Sequence, residues 1–225
     1  MEKHSCIEAA LTAFSTKEHE LQIFMDGVGQ WFATNPRLWK GDFAVIHSVK
    51  SRLKDKDHLR DKLGRKWDDS APITGDNLFE KITDLAGVRV LHLYQDQFET
   101  IHAEVLRKVT ELKDWHLHEP PKAYTWDPES RQFFEKLGVS VQLKESFYTS
   151  VHYVVRPRSD SPICCEIQVR TLFEEIWGEV DHTLKYPEKV LNLSCREQLL
   201  VLAKLVGAGS RLVDSIFRSS EHARQ

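Results

Sequence analysis

The chain has 225 residues, 41% of them hydrophobic and 29% charged, with a formal net charge of −3 and a pI near 6.4. That length suits one fairly large domain, or a domain with a helical appendage, and the slightly acidic balance argues against a bulk nucleic-acid binder while leaving room for a local basic patch. No stretch approaches the roughly 20 apolar residues that span a bilayer, and MEKHSCIEAALTAF has no signal-peptide core, so the expectation is a cytoplasmic protein without a membrane partner.

The four cysteines, Cys6, Cys164, Cys165 and Cys195, form no CxxC pair and no zinc-ligand spacing, which fits reduced thiols. Residues 5 to 34 read as a helix, with Leu21, Phe24, Met25, Val28, Trp31 and Phe32 at three-to-four spacing, closed by Asn35-Pro36. VKSRLKDKDHLRDKLGRK, 49 to 66, is a run in which basic residues outnumber acidic ones; its part from about 55 to 67 reads as a short charged helix. Thr74-Gly75-Asp76 opens another helical turn. GVRVLHLY, 87 to 94, is a β-branched strand, and 95 to 112 a helix with Phe98, Ile101, Val105 and Val109 on one face.

Residues 114 to 146 are irregular, with a strand expected near 114 to 119 and a helical turn near 130 to 137. YTSVHYVVRP and ICCEIQVRT are two further strands. Helices follow over 172 to 184 and 195 to 218, the last with Leu199, Leu202, Leu205 and Val206 along it. The order predicts an α/β (α+β) fold, a mixed β-sheet flanked by helices. One domain over 1 to 225 is expected, with helical extensions at 5 to 34 and 195 to 218.

Alternate residues of a strand share a face. In ICCEIQVRT the even positions Glu166, Gln168 and Arg170 point one way and Ile167 and Val169 the other. In YTSVHYVV, an exposed Tyr148, Ser150 and His152 oppose Val151 and Tyr153. A solvated sheet face accounts for either strand alone. Two strands that together display Glu, Gln, Arg, Tyr, Ser and His look like the floor of a charged-ligand site. Asp84 and Glu166 could hold Mg²⁺, which favours oxygen ligands, and the basic run suits polyphosphate. A P-loop and the protein-kinase motifs are absent.

Four motifs in order carry a resemblance: Arg52, Lys54 and Lys62 in the basic run, DLAGVR (84 to 89), YTSVH (148 to 152) and EIQVRT (166 to 171). Over about residues 45 to 187, its motif core, the chain resembles the synthetase domain of RelA/SpoT alarmone synthetases, of the small type, within the nucleotidyltransferase superfamily. The resemblance implies a transferase that moves pyrophosphate from ATP to the 3′-hydroxyl of GDP or GTP to make (p)ppGpp. By position it implies that Asp84 binds Mg²⁺ and that Glu166 completes the metal site or deprotonates the acceptor. Arg52 and Arg89 would clamp the adenine, with Lys54 and Lys62 on the ATP phosphates. Tyr148 would stack on the acceptor base, His152 would sit near phosphates, and Gln168 and Arg170 would line the acceptor side, with Glu179, Asp181 and His182 shaping its pocket.

Two positions depart from the family pattern: Phe147 stands where Gly often precedes the tyrosine, and His58 where Ser is usual. Relatives of this type also include toxins that modify the 3′ end of tRNA or an adenine nucleotide. A catalytically dead nucleotide-sensing or partner-binding module is the reading from another class; the presence of both Asp84 and Glu166 argues against it. Oligomeric state is left open by the sequence.

Overall fold

The opening apolar periodicity folds into α1 (Lys3–Thr34), which buries Ala10, Phe14, Leu21, Met25, Val28 and Phe32 along one side. The computed structural model describes residues 2–39, 44–185 and 191–222; the end of the expected motif core, residues 186 and 187, lies outside them. Asn35 ends α1: its backbone turns extended while its N–H still reaches Trp31 O at 3.0 Å, and Pro36 forbids continuation of the helix.

The basic run splits. Its first part is β1 (Ser48–Leu53), a strand that the sequence reading did not assign. After it comes α2 (Lys56–Arg65), whose first turn is capped by Asp55, a carboxylate accepting the amides of Asp57 and His58. The cap fixes where the helix starts and so where Lys62 projects. Then come the short α3 (Leu78–Lys81), β2 (Ala86–His92) and α4 (Gln97–Thr110). As the spacing implied, α4 buries Phe98, Ile101 and Val105.

The irregular region holds more order than its composition suggests. β3 (His116–Thr125) runs well past the expected strand end, with register shifts against its neighbour on either side of Glu119. Pro120 and Pro121 lie within it; neither has an N–H to donate to the ladder, which accounts for the break there. Asp127 caps α5 (Pro128–Lys136) by accepting Ser130 N at 2.9 Å. A left-handed Gly138 leads to β4 (Ser140–Leu143), a second strand the sequence reading missed. β5 (Ser150–Arg156), β6 (Cys165–Thr171), α6 (Leu172–Lys185) and α7 (Leu193–His222) complete the chain.

The strands form one six-stranded mixed sheet in the order β1-β2-β6-β5-β3-β4. β2 and β6 run parallel, as do β3 and β4, and the other pairs are antiparallel. The expected α/β fold with helices around a mixed sheet is therefore what forms. One face carries Val88, Val90, Val151, Tyr153, Ile167 and Val169, all essentially inaccessible, in a core shared with α1 and α4. The Tyr153 hydroxyl finds a partner there in His102 Nδ1 at 2.7 Å, which satisfies a polar atom that burial would otherwise penalise.

A separate small cluster of Trp177, Ala203 and Val206, with Phe147, Tyr148 and Phe173, holds α6 and α7 together. The apolar stripe expected on the last helix is only partly inside: Leu199 and Val206 are buried, whereas Leu205 is 64% exposed. Among the described residues no helix is long and apolar enough to cross a membrane.

Candidate active site

The second sheet face is polar because its strands bring chemistry into register. Lys50 pairs with Arg89 across β1 and β2, Arg89 with Gln168 across β2 and β6, and Gln168 with His152 across β6 and β5. The neighbouring row is Arg52, Gly87 and Glu166. Gly87 contributes no side chain, so the floor stays open between Arg52 and Glu166.

Asp84 sits two residues before β2 and meets two lysines. Lys54 Nζ lies 2.9 Å and Lys62 Nζ 2.5 Å from its Oδ2. Burial works to raise the carboxyl pKa, but the two ammonium groups outweigh it and hold Asp84 at about 2. Its other oxygen, Oδ1, is buried and has no hydrogen-bond partner. An ionised carboxylate rarely leaves a buried lone pair unused, and such an atom calls for an explanation.

Glu166 anchors a chain of side chains. Gln168 Nε2 donates to its Oε2 at 2.6 Å, and His152 Nδ1 lies 3.0 Å from its Oε1. His152 Nε2 is in turn 3.1 Å from the Tyr148 hydroxyl. Burial pushes the Glu166 pKa up, but His152 and Gln168 more than offset it, and the carboxyl titrates below its ordinary range. Glu166 is thus an anion throughout the neutral range.

The arginines are ordered by acids on α6. Arg89 Nη1 is 2.8 Å from Glu175 Oε1 and 2.6 Å from Glu179 Oε1. Arg170, only 4% exposed, brings Nη2 to 2.5 Å from Glu175 Oε2. Its guanidinium also lies 5.8 Å from the centre of the Tyr148 ring, within cation–π range. Tyr148 is therefore half-buried under an arginine and packed in the α6–α7 cluster, a correction to the exposed ring expected from strand alternation.

A cleft with two lobes lies over this floor. The first, of about 530 Å³, is lined by Asp84, Glu166 and Lys50, among others. The second, of about 550 Å³, is lined by Lys62, Tyr148, Arg170 and residues of α6 including Asp181 and His182. Arg52, Lys54, Arg89, Gln168 and Glu179 line both. Each lobe is of ligand-binding size. Of the ten residues expected from the sequence, nine line one lobe or both; His152 lines neither and sits between Tyr148 and Glu166. Sequence reasoning missed Glu175. Its one signal was the pair Glu175 and Glu179, four apart on α6 and so on one helical face.

Among the described residues there is no cluster of three or more His, Cys, Asp or Glu that could cage a metal. Two carboxylates with one unpartnered oxygen suit Mg²⁺, which takes one or two carboxylates and fills its shell with waters and substrate phosphates. The residues present fit that ion.

Comparison with known proteins decides the family. Residues 51–190 match the region found in RelA / SpoT proteins. The chain belongs to the RelA/SpoT family. It is similar to the GTP pyrophosphokinase YjbM of Bacillus subtilis (strain 168), with 24% identity over 194 residues, covering 81% of this chain and 77% of that one. Its fold resembles the small alarmone synthetase 1 of Bacillus subtilis bound to its product pppGpp, with a TM-score of 0.62, 21% identity and coverage of 93% and 95%. The same synthetase bound to AMPCPP gives a TM-score of 0.60, 19% identity and coverage of 94% and 96%. Against this background the departure at Phe147 gains a meaning. Its φ is +61°, a left-handed conformation that Gly adopts freely and Phe does not. Packing of its ring against Trp126, 4.9 Å between centroids, holds it there.

Proposed function

We propose that this RelA/SpoT protein is an ATP-dependent pyrophosphokinase that transfers the β,γ-pyrophosphate of ATP to the 3′-hydroxyl of GDP or GTP, acting as one synthetase domain. The observation that carries the reading is the pair of half-buried, ionised carboxylates, Asp84 and Glu166, lining a cleft whose other walls are cationic. Asp84 Oδ1 is the unpartnered oxygen in that pair.

Arg52 and Arg89 line both lobes and clamp the adenine of the donor, their flat guanidinium groups suited to a purine face. Lys54 and Lys62 neutralise donor phosphates, releasing Asp84 as they do so. Tyr148 stacks on the acceptor base, with Gln168 and Arg170 beside it, while His152 stands behind the cleft and bridges the Tyr148 hydroxyl and Glu166. Asp84 and Glu166 would hold Mg²⁺, which when bound would supply a positive charge to shield the phosphates.

The 3′-oxygen attacks the β-phosphorus of ATP, the bond between that phosphorus and the α–β bridging oxygen breaks, and AMP leaves. The hydroxyl proton passes to the Glu166 carboxylate. Positioning of the two nucleotides supplies much of the rate. The acceptor is tested by incubation with γ-labelled ATP and a panel of GDP, GTP, ADP, ATP and deacylated tRNA at physiological salt. Label on GDP or GTP is expected. Label on tRNA with GDP untouched would replace the guanosine reading with a tRNA-modifying one, and a labelled 3′-pyrophosphorylated adenine nucleotide would replace it with an adenine-nucleotide one.

A further inference from the structure

Glu175 stands out among the groups outside the proposed chemistry. It lies in the first turn of α6 and its side chain is 7% exposed. Three cations from three different strands converge on it. Lys50 Nζ of β1 lies 3.1 Å and Arg89 Nη1 of β2 2.8 Å from Oε1 as hydrogen bonds, and Arg170 Nη2 of β6 lies 2.5 Å from Oε2 as an ion pair without hydrogen-bond alignment. Burial works to raise its pKa, but Arg170 and Arg89 prevail, so the group stays an anion. The carboxylate lines neither lobe of the cleft, while the cations it holds do. Lys50 lines the first lobe, Arg170 the second and Arg89 both.

α6 fixes Arg170 from a second direction. A Cβ placed on Gly178 would sit 2.7 Å from Arg170 Nη1, so the helix backbone lies directly against the guanidinium. Arg170 is thus held between Glu175, the bare backbone at Gly178 and the ring of Tyr148. Arg89 differs: it is 29% exposed, and its second acid, Glu179, is itself 56% exposed. A ligand in the cleft can displace Glu179 from Arg89 while Glu175 keeps its grip from behind.

We infer that Glu175 is a positioning residue that fixes Arg89 and Arg170 with one carboxylate, setting donor-side and acceptor-side cations together. The inference rests on the pyrophosphokinase reading for which substrate each arginine meets. A guanidinium tethered at one edge presents its remaining N–H groups and its flat face in one orientation, which lowers the cost of ordering it on binding. Because the anchor is shared, its loss reaches both substrates. A residue serving one lobe would move one Michaelis constant only.

The test uses full-length protein with Glu175→Gln, which keeps shape and removes charge, and Glu175→Asp, which keeps charge and withdraws it by one methylene. Initial rates are measured with ATP and GDP varied in turn. Binding of a non-hydrolysable ATP analogue is measured by calorimetry without acceptor. The expected result is a rise of about tenfold in both KM values for Glu175→Gln, a smaller rise in both for Glu175→Asp, and weaker analogue binding in the same order. Should the Gln protein fail to fold, the Asp protein alone decides. Both KM values unchanged in the folded variant, or only one of them moved, would overturn the inference. So would analogue binding equal to wild type. Wild-type protein that binds the analogue but labels no guanine nucleotide would remove the acceptor assignment, and calorimetry would still score the anchor on Arg89. Wild-type protein that binds no adenine nucleotide would overturn the pyrophosphokinase reading and this inference with it.

Discussion

The two faces of the central sheet are built from the same strands and have opposite characters. On one, Val88, Val90, Val151, Ile167 and Val169 are sealed beneath α1 and α4. On the other, one residue along each strand, Arg89, His152, Glu166 and Gln168 hold charges and hydrogen bonds at a cleft. A single backbone step thus separates a residue that stabilises the fold from one available for chemistry. The two properties should be separable by mutation, since neighbours in sequence face different surroundings.

The sharpest break is between Glu166 and Ile167. Glu166→Gln and Asp84→Asn should each reduce turnover by on the order of 100-fold or more; Asp84→Asn also gives up the lysine pairs that hold the Asp84 pKa at about 2, and should lower stability by about 2 kcal/mol at neutral pH. Ile167→Ala removes a fully buried side chain and should cost about 2–5 kcal/mol of stability, with the surviving folded protein keeping both KM values. Denaturant titration and initial rates on the same preparations read both arms. A Glu166→Gln protein with normal turnover would take that residue out of the chemistry.

The apolar face also carries a pH signature of its own. His92 is buried at the end of β2, with Nδ1 2.9 Å from Tyr94 O, and burial lowers its pKa from 6.5 to about 4. The unfolded chain therefore takes up the proton first. His92 contributes stability above about pH 6.5, and that contribution is lost as pH falls towards 4, about 3 kcal/mol over the window. Unfolding free energies measured from pH 7 to pH 4 should show this slope, and His92→Gln should flatten it.

On the polar face, effects confined to one substrate should be smaller. Arg52→Ala or Arg89→Ala should weaken ATP binding by about 1–3 kcal/mol. Tyr148→Ala should raise the acceptor KM and spare that of ATP. Steady-state rates with each substrate varied separate the two, and an ATP-specific defect in the tyrosine variant would reverse the lobe assignment. The smallest effect is expected at Phe147. Replacement by Gly relieves a left-handed backbone strain of about 1–2 kcal/mol and forfeits the ring contact with Trp126, so the net change in stability should stay within about 1 kcal/mol.

Strands with a sealed face were readable in the sequence, because β2, β5 and β6 alternate β-branched core residues with polar ones. β1 and β4 were not. Three of the six β1 residues, Lys50, Ser51 and Arg52, are exposed, and neither β1 nor β4 buries any of its residues fully. Edge strands with no sealed face leave no apolar alternation to detect. The site divides in the same way. Asp84, Glu166 and their basic partners lie in short contiguous motifs. Glu175 acquires its role only when residues 125 and 86 positions away meet it across the sheet, and no local pattern records such a meeting. The left-handed backbone at Phe147 was hidden for the opposite reason: its residue type argues against the conformation that packing imposes.

On the proposed function, the polar face moves a pyrophosphoryl group and not a single phosphoryl group. ATP labelled at both the β and γ phosphorus atoms, incubated with GDP, Mg²⁺ and wild-type protein, tests it directly. Both labels should appear on the guanosine product in equal amounts, with AMP formed one for one. A product carrying the γ label alone with ADP left behind, or labelled phosphate released with no guanosine product, would contradict it.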